Sequence, residues 1–391
     1  MDIKGLVRSH AREIVGLRRD FHRIPELGFT EFKTQRTLIR YLTNLNLHPE
    51  SIGGTGVVAT LHGEKPGKVV MLRADMDALP VTERTGLPYA SETEGLMHAC
   101  GHDGHMAMLL VAANVLVQMR SHMQGSVKFV FQPNEENAGA TKLIEEQVME
   151  HPHVDAVFGV HLWSPLPSGT IDIVDGPQMA AAYDFSLDIL GSGGHAGFAH
   201  KSVDPIIASS AVIQAVQSIQ TREIDAQNPA VIMFTQITAG SSQNIVPEKV
   251  CMRGTVRFLY AGGEEILEAF RRTVDHICAA YRTEAILTFT LGNSLLANEP
   301  KMAGIMRQAA AETLEDGSKV TSRFRTMAGE DFSEYLQHAP GAFAFVGINN
   351  PVAGSVYPHH HPQFTIDEEV LPIGTELLVR SALRFLSVEG A

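Results

Sequence analysis

Cysteine is scarce in this chain, and the three that occur, Cys100, Cys251 and Cys278, lie far apart in 391 residues. So few and so scattered, they exclude a disulfide framework and predict a reducing, cytoplasmic setting. Basic charge is in deficit too. A formal net charge of −13 leaves no basic face for nucleic acid or an anionic membrane, so neither is expected as a partner. No apolar run approaches a membrane-spanning length, and the opening MDIKGLVRSHAREIV carries no apolar signal region. Internal repeats and low-complexity segments are likewise missing. What is present, 44% hydrophobic and 19% charged residues, is an ordinary soluble globular composition. A chain of 391 residues is more than one core serves, so two domains are expected.

Residues 1–48 predict helix, with Ile14, Leu17, Phe21 and Ile24 on one apolar stripe, an interruption at Pro25, and the pattern resuming from Phe32 to Leu45. Gly53-Gly54-Thr55-Gly56 opens a strand over Val57–His62, and Gly63 to Gly67 reads as a hairpin-like turn into a second strand at Val69–Arg73. Strands are also predicted at Val127–Phe131 and Val157–Val160, with a helix over Thr141–Glu150. Each strand after the turn runs into chemistry: Asp75-Met76-Asp77, then Gln132-Pro133-Asn134-Glu135-Glu136, then His161. Ligands of open α/β sheets bind beyond the carboxyl ends of the strands, so these groups should share one rim. Acids and histidines after strands are often only solvated loop residues, but three in succession make that reading a poor one.

From Ala181 the pattern changes to β-α-β-β-α-β: strands at Ala181–Leu190, Val231–Thr238, Val250–Phe258 and Ala285–Leu291, helices at Val203–Gln220 and Glu264–Tyr281. That order is the ferredoxin-like motif, and it predicts a domain at 181–295 inserted into a catalytic domain of 1–180 and 296–391. The fold class is therefore α/β: a two-layered catalytic domain with a mostly parallel sheet flanked by helices, plus an inserted α+β domain. After Pro300 the expected elements are a helix near Met302–Leu314, a strand near Phe343–Val346 and a closing helix after Pro372.

The richest stretch is Met97-His98-Ala99-Cys100-Gly101-His102-Asp103-Gly104-His105, a thiol, three imidazoles and a carboxylate just ahead of an apolar helical pattern. A helix N-terminus favours a thiolate or another anion, and Cys100 and His102 are spaced to bind one metal or a close pair. Thiolate, imidazole and carboxylate together suit Zn, Mn, Co or Ni and not Mg or Ca. Glu135 and Glu136, as neighbours, should not point easily at the same ion.

Met71-Leu72-Arg73-Ala74-Asp75-Met76-Asp77-Ala78-Leu79-Pro80 and His98 to His105 resemble the signatures of the hippurate hydrolase and N-acyl-amino-acid amidohydrolase family, a branch of the aminoacylase-type binuclear metallopeptidases. Phe131 to Glu136, Gly159-Val160-His161, Gly193-Gly194-His195-Ala196, Gly329-Glu330-Asp331-Phe332, His22 to Glu26 and His360-His361-Pro362 resemble further blocks of it, collinear over the chain. The resemblance implies two divalent transition-metal ions on Cys100, His102, Glu136, His161 and His360. It implies Glu135 as the general base on a metal-activated water. It makes Asp77 the carboxylate orienting a ligand histidine, a part that Asp75 fits as well. By the same resemblance His195 stabilises the oxyanion, in its own subunit or its partner's. Asn244 and Arg257, together with Gly329, bind the substrate, Arg257 being suited to a bidentate carboxylate contact. His360 is selected from the triplet His359-His360-His361 by the family pattern His-x-Pro.

The implied activity is hydrolysis of the amide of a small-molecule N-acyl amino acid, by a homodimer or a tetramer. Peptidase action on a dipeptide or a peptide with a free carboxylate is the alternative of the same chemistry. A thiol hydrolase using Cys100 as nucleophile and a non-catalytic binding protein are the competing classes. Cys251 and Cys278 read as small buried hydrophobes, Met76 as filler, and Trp163 as either an acyl-pocket wall or rim packing. Asn134 stands where many relatives have a small apolar residue. His98 and His105 are given supporting roles.

Overall fold

The computed structural model describes residues 2–387. The chain forms two compact units, one of Met1–Gln178, Ala297–Arg325 and Asp331–Ala391, the other of Met179–Leu296 and Thr326–Glu330.

The first unit is built on an eight-stranded sheet in the order Glu50–Ile52, Gly56–His62, Gln124–Gln132, Lys65–Asp75, Ala156–Pro167, Gly341–Asn349, Ile171–Asp172 and Val320–Thr321. Its four central strands are parallel, while the strands on either flank pair antiparallel to them. The central strands are near-continuous apolar runs, as parallel strands buried on both faces must be. One face carries Leu72, Phe129, Phe158 and Ala344 into the main core. The other carries Met71, Arg73, Asp75, Gln132 and Phe343, also buried, against the short helix Phe332–Tyr335. The two-layered expectation is therefore corrected: both faces are covered.

The hairpin-like turn is corrected as well. Gly56–His62 and Lys65–Asp75 are not neighbours, because Gln124–Gln132 lies between them and pairs with both. The link at Gly63 and Glu64 crosses the start of that strand, bonding to the carbonyls of Gly125 and Met123. Two further elements differ in extent. The helix predicted at Thr141–Glu150 covers only Ala140–Glu145, and Gln147 and His151 beyond it take left-handed conformations that a helix cannot continue through. The strand expected to stop at Val160 runs on to Pro167, so His161 sits inside it, paired with Phe345.

Helix His102–Gln118 is apolar on every side, and 14 of its 17 residues are buried. A helix hydrophobic all round belongs in the middle of a core, here packed with Leu371, Leu378 and Phe385 of the closing helix Leu371–Ser387. Deep burial fixes the start of this helix, and with it His102. Among residues 2–387 no helix is long and apolar enough to cross a membrane.

In the second unit the strands Ala230–Ala239, Lys249–Phe258, Ala181–Leu190 and Glu284–Asn293 form an antiparallel sheet in that order. Two helices, Pro205–Ser218 and Glu265–Ala280, carry Val212, Val216, Phe270 and Val274 into one core with Phe185, Leu187 and Val256. The first helix starts at Pro205, later than predicted. Asp204 caps it by accepting from the Ile206 N–H, and proline suits a first-turn position whose N–H has no helical partner.

Candidate metal centre

Two strand ends, the interior of a third strand and two loops of the first unit bring the candidate groups together. Asp75 closes one strand opposite Gln132, the end of the next. Beyond Gln132 the chain folds into a tight turn, Glu135–Asn137, bracketed by left-handed Asn134 (φ 56°) and Ala138 (φ 60°). Cys100 precedes Gly101, whose φ of 94° only glycine adopts freely, and His102 begins the core helix. His360 arrives on a loop held by its backbone N–H to the Ala99 carbonyl, 2.8 Å.

Donor atoms of Cys100, His102 and His161 lie within 4.8 Å of one another, as do those of Cys100, Glu136 and His360, so the two sets share the Cys100 sulfur. Cys100 Sγ is 3.6 Å from His161 Nε2, and His360 Nε2 is 3.2 Å from Glu136 Oε1. Glu135 Oε2 stands 4.0 Å from His102 Nε2. One expectation is not met: the tight turn lets the neighbouring carboxylates of Glu135 and Glu136 converge, with His102, within the same 4.8 Å. What separates them is company, since Glu136 faces His360 while Glu135 faces His102.

Hydrogen bonds decide the imidazole tautomers, because a carbonyl can only accept. His102 Nδ1 donates to the Asp77 carbonyl (2.9 Å) and His161 Nδ1 to the Leu162 carbonyl (2.8 Å). In the neutral ring each Nε2 then carries the lone pair, the form that binds a metal. His102 Nε2 is buried and makes no hydrogen bond, and the buried Glu136 Oε1 has only the His360 ring beside it, at 3.2 Å. Buried acceptors so poorly partnered are costly unless a cation joins them.

The electrostatics agree. Burial would lower the pKa of His102, yet the Asp75 and Cys100 charges raise it well above the usual value. The Cys100 and Glu136 side chains beside it push His360 up to about 10. Both sites want positive charge, and the donor set of one thiolate, three imidazoles and carboxylates fits divalent transition ions. Burial pushes the Cys100 thiol up, with Glu136 adding to it. The helix start thus does not deliver the free thiolate expected from position alone, because desolvation outweighs it. That weighs against a thiol nucleophile.

The other histidines have different work. His105 takes the Leu162 N–H on Nε2 (2.9 Å) and donates from Nδ1 to Asp75 (2.6 Å). Asp75 is also held by Arg73, at 2.7 Å. Asp75 is thus committed to Arg73 and His105, while Asp77 serves His102 through its carbonyl, with Oδ1 3.3 Å from the same nitrogen, and accepts the Glu136 N–H on Oδ2 at 3.1 Å. His359 bonds to Ser164 and to the Leu162 carbonyl, and His361 stacks on Tyr357. Trp163 stacks on Phe345 with centroids 4.4 Å apart, a packed position behind His161.

Two buried networks escaped the sequence. Arg73 donates to Gln132 and Asp331, and Asp331 in turn accepts from Gln132 and the Ala140 N–H, tying three segments together. Arg18 and His22 both reach Asp103, at 2.8 and 2.7 Å, and hold the start of the core helix. Arg18 on an amphipathic helix reads as solvated, and its full burial is visible only in three dimensions. His98 beside them is fully buried with neither ring nitrogen hydrogen-bonded, and burial lowers it to about 4, so it stays neutral.

The remaining candidates lie in the second unit. Gly193, His195 and Asn244 line one open groove of about 650 Å³. His195 Nδ1 accepts the Gly197 N–H (3.0 Å), which leaves Nε2 as a donor. The Asn244 carbonyl takes the Ala196 N–H, also at 3.0 Å. Arg257 does not line that groove. It is on the strand Lys249–Phe258 and donates to the Met327 carbonyl (2.8 Å), near Gly329, where an added Cβ would meet the Asn293 side chain at 3.0 Å. Cys278 is buried as expected, but Cys251 is only partly so, because it lies on a strand that buries alternate residues.

Comparison with known proteins adds three likenesses to a family match. Residues 71–384 match the family described as peptidase family M20/M25/M40. The N-acetyl-L-cysteine deacetylase of Bacillus subtilis is 38% identical over 379 residues, 96% of this chain and 88% of that protein. Thermostable carboxypeptidase 1 of Saccharolobus solfataricus is 37% identical over 396 residues, 98% of this chain and 99% of that protein. The crystal structure of the Bacillus subtilis YXEP protein, a dinuclear metal binding peptidase from the M20 family, superposes with a TM-score of 0.86 at 34% identity, covering 97% of this chain and 99% of that one.

Proposed function

The chain belongs to peptidase family M20/M25/M40, and on that premise we propose that it is a metal-dependent amidohydrolase, cleaving N-acyl amino acids to a carboxylic acid and a free amino acid. The observation that carries this reading is the pair of donor sets meeting at Cys100, with a buried, unpartnered Nε2 on His102. In this reading Cys100, His102, Glu136, His161 and His360 hold two divalent ions, with Zn, Mn, Co or Ni as the metal. Bound divalent ions supply the positive charge that acidifies water and polarises a carbonyl.

Glu135 accepts a proton from the water that attacks the amide carbon. As the carbon–nitrogen bond breaks, Glu135 passes that proton to the departing nitrogen, so a carboxylic acid and an amine leave and the base is restored. Asp77 fixes the ring of His102 through its carbonyl and the turn of Glu135 through the Glu136 N–H. His195, with Nε2 as donor, stabilises the oxyanion, and Asn244, Arg257 and Gly329 bind the substrate's carboxylate end. The second unit acts as an inserted lid and as a dimerisation surface for a cytoplasmic homodimer.

The test is Glu135→Gln, assayed on N-acetyl amino acids and on N-blocked dipeptides in parallel. The amide keeps the shape but cannot take a proton, so kcat should fall by about 10²–10⁴ while both ions remain bound. Wild-type turnover in that variant overturns the assignment of the base. Faster cleavage of the dipeptides would favour the peptidase reading that the carboxypeptidase relative represents.

A further inference from the structure

We propose that Glu31 is a positioning residue for the reaction: its carboxylate clamps the turn that presents Glu135, acting as a hydrogen-bond acceptor and not through its charge. The inference rests on Glu135 being the base.

Glu31 is fully buried, and no lysine, arginine or histidine pairs with it among the described residues. Its Oε1 accepts the Asn134 N–H at 3.1 Å and its Oε2 accepts the Thr55 hydroxyl at 2.5 Å. On the far side of Glu135, Asp77 Oδ2 accepts the Glu136 N–H at 3.1 Å. The amides of Asn134 and Glu136, on either side of Glu135, are thus each gripped by one carboxylate. The grip has something to hold. Asn134 adopts φ 56°, unfavourable for a residue with a Cβ, and it lies beyond Gln132, where the strand ends.

The segment bearing Glu31 is shaped for this contact. An added Cβ on Gly28 would lie 1.8 Å from Asn134 Oδ1, so only glycine admits the Asn134 side chain there. Leu27 bridges to Ala78, and the Ala78 N–H donates to the Glu26 carbonyl (2.8 Å), which ties the same segment to the Asp77 side of the clamp. Residues 26–31 therefore form a floor beneath both halves of the turn.

Burial raises Glu31 to about 7, with the Asp77 charge also raising it. Either protonation state keeps the clamp: the protonated acid offers its carbonyl oxygen to Asn134 and its O–H to the Thr55 oxygen. Glutamine reproduces the same pattern with an oxygen and an NH₂, whereas leucine of similar size offers neither. A misplacement of about 1 Å at a base costs on the order of 10²-fold in rate.

Glu31→Leu, Glu31→Gln, Gly28→Ala and Glu135→Gln are compared in the metal-loaded enzyme for kcat, KM, pH profile and ion content, and in the metal-free protein for amide exchange of the 131–140 segment. Glu31→Leu and Gly28→Ala should lower kcat by about 10–100-fold with KM and two bound ions kept, and should speed exchange in that segment. Glu31→Gln should stay within about threefold of wild type, with an unchanged pH profile and native exchange. Wild-type rates and exchange in Glu31→Leu overturn the clamp, and a Glu31→Gln as slow as Glu31→Leu overturns the acceptor role. If Glu31→Leu does not fold, Gly28→Ala and Glu31→Gln decide alone. Loss of activity in Glu135→Gln alongside normal Glu31 variants sinks this inference only, while an active Glu135→Gln sinks the underlying reading.

Discussion

Replacing Asp75 by asparagine tests whether the site is built on a fully satisfied buried network. Both Asp75 oxygens are used, Oδ1 by His105 Nδ1–H at 2.6 Å and Oδ2 by Arg73 Nη1–H at 2.7 Å, and the residue is 1% exposed. Asparagine has one oxygen and one NH₂, so either orientation sets a donor against a donor. One charge-assisted bond is lost, worth about 1.5–3 kcal/mol, and the buried Arg73 guanidinium loses a charged partner, a change that costs about 3–5 kcal/mol when nothing replaces it. Arg73 keeps Asp331 at 2.8 Å, which places the expected loss near the lower bound, about 3 kcal/mol.

The assay is urea unfolding of the metal-free protein followed by tryptophan fluorescence. The chain has one tryptophan, Trp163, packed in the same unit against Phe345. Burial alone would raise the Asp75 pKa, but the His102, His105 and Arg73 charges hold it well below the ordinary carboxylate value. A depressed carboxylate stabilises above its unfolded pKa and loses that contribution as pH falls through the folded one. The gap between wild type and Asp75→Asn should therefore be full at neutral pH and shrink below about pH 4. A gap under about 1 kcal/mol at neutral pH, or one that widens in acid, refutes the reasoning.

The other expectations are simpler. His360→Ala should lower the bound metal toward one ion per chain by mass spectrometry under native conditions, while His361→Ala, whose ring stacks on Tyr357 and accepts the Gln363 N–H, should leave ion content and rate within about twofold. His195→Ala should lower kcat by about 10²–10³ with ion content unchanged, and loss of metal there would contradict its assignment to the oxyanion.

Much of the fold could be read from periodicity, because the central strands and the core helix bury long apolar runs whose pattern is local. What escaped was set by partners distant in sequence. Nothing near Gly63 reveals that Gln124–Gln132 slips between two adjacent strands. The extension of the third parallel strand through His161 follows from pairing with Gly341–Asn349, since polar residues there are satisfied by a neighbour the sequence does not display. The candidate ligands were legible because their residue types are chemically unusual together and the family blocks are distinctive. The groups that hold them were not. Arg18, Arg73 and Glu31 are charged residues whose full burial contradicts their ordinary preference for solvent. The convergence of Glu135 and Glu136 depends on two left-handed residues, Asn134 and Ala138, that no composition rule requires.

The central claim is that bound divalent ions and Glu135 cleave an acyl amide. It is tested most directly by chelator-dialysed protein reconstituted with Zn, Mn, Co or Ni and assayed for free amino acid released from N-acyl amino acids. The account predicts no release from the stripped protein, recovery as two ions per chain are restored, and no recovery in Glu135→Gln. Release that survives complete removal of metal and stops when Cys100 is alkylated would contradict it.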